Sequence, residues 1–268
     1  MLGFAARAAG NERLAKTGLL VSAAADAVSP ALLVADLGRP ERFLNMLRLF
    51  KVTSPMSVGS WILATSSSAS GLAAALDALG VLPRLRAASE TVSALLGPAL
   101  ATYTAVLIAD TAVPVWHEGR RELPFVFGGS AAASAGAAAV CLVPSAEAGP
   151  ARRLLVLGAL AEGAAMKTME RRLGFLAEPY KQGEAGRYAR AAKALTATGA
   201  LIAGRAGRRR RGAAIAGGAL ALAGELCLRW SVFKAGFQSA RDPRYTVEPQ
   251  RRRRERSVSG PAPASTNP

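Results

Sequence analysis

Long runs of Ala, Leu, Val, Gly and Ser alternate along the chain with short charged segments, and the runs fall near residues 17 to 35, 58 to 79, 90 to 115, 122 to 143, 153 to 170, 191 to 206 and 212 to 233. A helix needs about 20 apolar residues to cross the hydrocarbon of a bilayer. The pattern therefore predicts an all-α integral membrane protein, a polytopic bundle of about seven transmembrane helices. The runs at 153 to 170 and 191 to 206 are short and rich in Ala and Gly. Each is read either as a span or as a helix buried by protein that never meets lipid. Abundant small residues favour close packing of helices in a bilayer, although a codon bias toward Ala, Gly and Arg yields the same composition. The chain divides into an N-terminal loop at 1 to 16, a transmembrane helical domain at 17 to 240 and a basic tail at 241 to 268. In that tail RRRRER precedes SVSGPAPASTNP, a composition that predicts disorder.

Composition sharpens this picture. Of 268 residues, 51% are hydrophobic and 19% charged, yet the net charge is +16, and the mean hydropathy is +0.22. These values agree when the charges are confined to loops between apolar spans. A nucleic-acid binder spreads Arg and Lys over its structured surface, so nucleic acid is excluded as a partner. Arg7, Arg13, Lys16, Arg84, Arg86, Arg152, Arg153, Arg205 and the arginines at 208 to 211 fall on one side of the predicted bundle. The other side holds the majority of the 34 basic residues, the tail included. By the positive-inside rule that second side is cytoplasmic, which predicts a multi-pass protein of the cell membrane with its C-terminus inside. The opening MLGFAARAAGNERLAKTG has no continuous apolar core of the length a secretory signal needs.

Cys141 and Cys227 lie in separate apolar runs and are read as packing residues. His117 is the only histidine. Neither an iron–sulfur cluster nor a bis-histidine haem is expected in this chain, and no metal site is assigned. No phosphate loop, dinucleotide fingerprint or Ser-His-Asp set is visible.

Two sets of residues carry candidate chemistry. The first is DLGRPERFLNMLRLFKVTSPMSVGSW at 36 to 61. Here Asp36 ends a span and is read as a cap or as a partner of Arg39 or Arg42. Gly38 permits a tight backbone, and Pro40 holds Arg39 extended. Phe43, Leu44, Leu47 and Phe50 share one face, the pattern of a short interfacial helix over Glu41 to Phe50, with a solvated turn as the alternative. Ser57 or Thr53 is expected to cap the helix restarted at Pro55, and Trp61 falls at an interfacial depth. Arg39 and Arg42 orient the loop, or attract anionic lipid or an acidic subunit. The second set is acidic: Asp26, Asp110, Glu162 and Glu225 interrupt apolar runs, where a carboxylate turns inward toward a partner, water or a proton path. Glu225 also stands four residues before Arg229, and Glu162 five before Lys167, so ion pairing is the competing reading.

The wording of the first set adds more. LGRPERFLNMLRLFKVTSPMSVGSW resembles the loop between two spans of the NrfD/PsrC family, the membrane-anchor subunits of polysulfide reductase-like and related molybdoenzyme complexes. PALATYTAVLIADTAVPVWHE at 98 to 118 looks like a later span of that family, and KAGFQSARDPRYTVEPQR at 234 to 251 like its C-terminal ending. The resemblance implies an eight-helix fold of two four-helix-bundle-like halves. AARAAGNERLAKTG resembles the loop after the first of those helices, so this chain is expected to lack that helix and the polar quinone contacts it carries.

The function implied is that of a non-catalytic or quinone-binding subunit of an oxidoreductase complex. It would exchange electrons between a ferredoxin-like iron–sulfur subunit and menaquinone, while a molybdopterin subunit performs the substrate chemistry. Asp36, Gly38, Arg39, Pro40 and Pro55 stand at the positions of the family loop motif. Tyr103 is the expected quinone contact, because a neutral phenol donates a hydrogen bond to a quinone carbonyl. Asp26, Asp110, Glu162 and Glu225 are the candidate proton relay. Two other classes stay open: a purely structural anchor, and a small transporter whose acids line a path, although no internal repeat is visible.

Overall fold

A computed structural model of the chain describes residues 1–36 and 38–258, with the side chains of Asp36, Arg42, Leu44 and residues 252–258 outside the description. Among the described residues the protein is all helical. In chain order it comprises α1 (Leu2–Ala8), α2 (Glu12–Asp36), α3 (Phe43–Met46), α4 (Pro55–Leu79), α5 (Pro83–Ala109), α6 (Pro114–Glu118), α7 (Leu123–Leu142), α8 (Gly149–Leu173), α9 (Glu178–Lys181), α10 (Gly183–Arg205), α11 (Arg211–Arg241) and α12 (Arg244–Val258). Each of the seven apolar runs lies on one of the long helices α2, α4, α5, α7, α8, α10 and α11. Five of these, α2, α4, α5, α7 and α11, are long and apolar enough to cross a membrane.

The long helices form two rings of four. In one, α2 packs on α4, α4 on α5, α5 on α7, and α7 closes back on α2; in the other, α7 packs on α8, α8 on α10, α10 on α11, and α11 on α7. The expected halves are thus present and share α7. That helix accordingly carries small residues on many sides, with Gly129, Ser130, Ala133, Gly136 and Ala137 all buried. α1 folds back on α2 where Gly18 meets Gly3: a Cβ on Gly18 would stand 2.9 Å from the Gly3 Cα. Succeeding long helices alternate in direction, which defines two faces. Face A holds the α1–α2, α4–α5, α7–α8 and α10–α11 turns, and face B holds the segments at 38–54, 110–122 and 174–182 together with α12.

Several local expectations change. The segment after Pro40 is helical only through Met46, a 3₁₀ turn (Pro40–Arg42) followed by α3. Beyond it the Ser57 hydroxyl donates to the Leu49 carbonyl at 2.9 Å and accepts from the Lys51 N–H at 3.0 Å, which bends the chain back onto α4 before a longer helix can form. Ser54, rather than Ser57 or Thr53, is the N-cap of α4, accepting from the Ser57 N–H at 3.4 Å, with Pro55 at the first helical position. α8 and α10 are not buried by this chain, since Leu157, Leu160 and Leu201 are exposed on them. The tail expected to be disordered from 241 instead opens with α12. Tyr245 anchors it: the side chain is 3% exposed, stacks on Phe175 with ring centroids 5.1 Å apart, and donates to Glu178 at 3.3 Å. Residues 259–268 lie outside the described residues.

Candidate functional site

α5 delivers Tyr103 to the face B half of the first ring, within two turns of its end at Ala109. The ring is half-buried against Gly59 of α4. A Cβ at Gly59 would overlap the phenol, so only glycine lets the two helices meet around it. No group among the described residues hydrogen-bonds the Tyr103 hydroxyl. It is therefore a donor without an acceptor among the described residues, set against the α4 backbone at Gly59. At the same end of α4, Trp61 is exposed and meets Phe50 edge-on at 6.3 Å. The nearby loop keeps Arg39 extended (φ −135°, ψ 97°) ahead of Pro40, as the sequence predicts. Gly38 and Arg39 lie in a bend, and the Asp36 side chain lies outside the described residues.

The four acids do not lie together. Asp26, buried between α2 and α4, accepts from Ser70 Oγ at 2.6 Å and more weakly from Ser22 Oγ at 3.4 Å. Ser70 and Gly59 are eleven residues apart on α4, about 16 Å of helix rise, so Asp26 and Tyr103 occupy different depths of one ring. Asp110 is not inside a span: it is the exposed residue that ends α5, because the apolar letters after it, up to Val113, belong to the loop.

Glu162 of α8 and Glu225 of α11 do come together, in the second ring. The two carboxyl groups approach within hydrogen-bonding range, Thr196 Oγ donates to Glu225 at 3.4 Å, and each carboxyl keeps one oxygen without a partner among the described residues. Arg229 faces the pair and acts on both carboxyl groups electrostatically. Its guanidinium lies 3.7 Å over the Phe127 ring and donates to the Phe127 carbonyl at 3.4 Å. The expected Glu162–Lys167 pairing is absent among the described residues, as Lys167 points outward. A groove of ≈ 440 Å³ between α8 and α10 reaches Glu162 and Thr196.

The sequence reading missed the largest ionic cluster, which lies on face A. Arg7 donates to Glu90 at 3.0 Å and to Asp77 at 3.2 Å, and Arg86 donates to Asp77 at 3.0 Å. The four-residue spacing of Arg86 and Glu90 was its one visible signal. At the α8 end on face B, Arg172 binds Glu122 Oε2 at 2.6 Å, and that bond holds the guanidinium pKa above its ordinary value.

The family model described as polysulphide reductase, NrfD, matches residues 2–154. The match runs from α1 through α7 into the first residues of α8. It takes in Asp26, the 36 to 61 loop, Tyr103 and Asp110, and it stops before Glu162, Glu225 and the 234 to 251 stretch. No curated protein and no solved structure matches the chain.

Proposed function

This chain belongs to the polysulphide reductase NrfD family and is a multi-pass membrane subunit of a redox complex, and we propose that it is the subunit exchanging electrons between a ferredoxin-like iron–sulfur partner and menaquinone. One observation carries the reading: Tyr103, inside the family match, presents a phenol whose hydroxyl no group among the described residues uses. A phenol donor left unused beside the α4–α5 contact fits a quinone carbonyl. Bound there, the quinone would accept the electrons that the partner's clusters deliver, together with protons. The chain's own work is to position and to protonate. Gly59 leaves the space that the Tyr103 ring occupies. The buried Asp26 carboxyl, hydrogen-bonded to Ser70 and Ser22, and the facing Glu162 and Glu225 beside Arg229 are groups able to hold protons. Two carboxyl groups opposite one guanidinium are neutral only with one proton added. A molybdopterin subunit performing the substrate chemistry completes the proposed complex.

Tyr103→Phe tests the reading. Removing one hydrogen bond to the bound quinone is worth about 1.4 kcal/mol, so menaquinone-dependent turnover in native membranes is expected to fall about tenfold while the complex stays assembled. Unchanged turnover would overturn the assignment. A second reading, a structural anchor without a quinone site, is favoured by one observation: the groove of ≈ 440 Å³ lies between α8 and α10 and not at Tyr103.

A further inference from the structure

α8 and α10 run the depth of the second ring, α8 along α7 and α10 along α11, yet neither is among the helices long and apolar enough to cross a membrane. Their outer surfaces explain why. Lys167 and Arg171 of α8 and Arg187, Arg190 and Lys193 of α10 are exposed. Long cationic side chains near a helix end reach the interface by extending along it. Lys193, ten residues or about 15 Å inside α10, lies beyond that relief. Glu170 pairs with it at 3.0 Å. No carboxylate among the described residues pairs with Lys167, Arg187 or Arg190. Charges at membrane depth face protein or water, because lipid solvates them poorly.

Between the same two helices runs the groove, walled by Val156, Ala159, Leu160, Ala197, Ala200 and Gly204. Gly163 leaves it open, since a Cβ there would meet nothing within 4 Å. Small residues on two adjacent helices let a third backbone approach closely. Glu162 lines this groove, is only 8% exposed, and keeps Oε2 without a partner among the described residues. Apolar walls, the Glu162 side chain and a row of cations toward face B thus lie along one groove.

We propose that the α8–α10 groove seats a transmembrane helix of another subunit of the complex, one carrying carboxylates toward face B and a hydrogen-bonding side chain level with Glu162. A second copy of this chain does not complement the surface. Among the described acids of its long helices, Asp26, Glu90, Glu162 and Glu225 are buried, and Glu12, Asp77, Glu170 and Glu184 are already paired within the chain. The proposal rests on this chain being one subunit of a redox complex and not on the role of Tyr103.

The experiment places a benzophenone photocrosslinking amino acid at Leu160, at Leu201 and, as a lipid-facing control, at Leu95 of α5, in the full chain in its native membranes. Adducts at 160 and 201, but not 95, are expected to contain a membrane-spanning peptide with Asp or Glu within two helical turns of the link. The pair Lys167→Glu with Arg190→Glu is expected to lower adduct yield at least tenfold, and the milder Lys167→Gln with Arg190→Gln severalfold, while the chain still elutes as one detergent-solubilised species. Lipid adducts alone, adducts to a second copy of this chain, a linked helix without acids, or a yield unmoved by both pairs overturns it. Because crosslinking is read without turnover, failure here is distinct from failure at Tyr103.

Discussion

Glu90 is 7% exposed at the start of α5, and only its neighbours make its charge tolerable. Arg7 reaches it from α1, Arg86 lies 3.5 Å away on its own helix, and Asp77 of α4 shares both guanidinium groups. Asp77 and Glu90 balance the two arginines, while the exposed Glu12 adds a third carboxylate on Arg7 at 2.6 Å; removing one arginine leaves an acid uncompensated where water is scarce. Breaking a buried pair from one side costs about 3 to 5 kcal/mol. Arg7→Gln is therefore expected to lower unfolding stability in detergent by about 3 kcal/mol. Arg13→Gln, which removes a side chain 70% exposed and paired with Glu147 at 3.4 Å, is expected to change it by less than about 1 kcal/mol. Equal losses in urea titrations of the two variants would refute the network's role. At this scale the sequence showed which carboxylates interrupt apolar runs, and Asp26, Glu162 and Glu225 are indeed buried. It did not show their partners, because Ser70 stands 44 residues from Asp26 and Glu225 lies on another helix from Glu162. Asp110 was misplaced because apolar letters continue past the end of its helix.

The helices themselves were legible because a run of about 20 apolar residues is a strong and local signal. Their ends were not: α8 and α10 extend beyond the apolar runs, in α10 by eight residues at its start, through charged turns that contribute nothing to the run. α12 forms on one buried tyrosine within a basic sequence, which composition cannot reveal. Nor does composition say which of the 27 glycines hold helices together. The structure separates them. A Cβ at Gly217 of α11 would lie 2.6 Å from the backbone nitrogen of Ala203 on α10, whereas a Cβ at Gly71 of α4 meets nothing within 4 Å. A valine at 217 must push two main chains apart, a change of the overpacking kind worth about 1 to 3 kcal/mol. Alanine at 71 adds only helix propensity, about 0.5 to 1 kcal/mol in favour of folding. Gly217→Val is accordingly expected to lower the midpoint of thermal unfolding in detergent and Gly71→Ala to raise it. Shifts of the same sign would contradict the α10–α11 contact described here.

For the whole molecule, the net charge of +16 must be divided between two faces, and the structure alters how that division is read. A plain count leaves a run of arginines at 208 to 211 on face A, opposing the tail on face B. Arg211, however, is engaged in folding: its guanidinium donates to the carbonyls of Val140, Cys141 and Val143, the acceptors left open at the end of α7, with the Val140 bond at 2.8 Å. Arg7 and Arg86 are neutralised by Asp77 and Glu90, and Arg13 meets Glu147. Face A therefore presents fewer free cations than its letters suggest, whereas on face B Lys167, Arg171, Arg187 and Arg190 stand exposed beside the basic α12. The orienting excess belongs to face B, and the positive-inside rule then predicts that this face and the C-terminus lie in the cytoplasm. In a chain carrying Cys141→Ala and Cys227→Ala, a membrane-impermeant maleimide is expected to label Arg209→Cys in intact cells. It is expected to label Gln250→Cys only after lysis. The reverse pattern would invert the bundle, moving Tyr103 and any partner docked at face B to the outer side of the membrane.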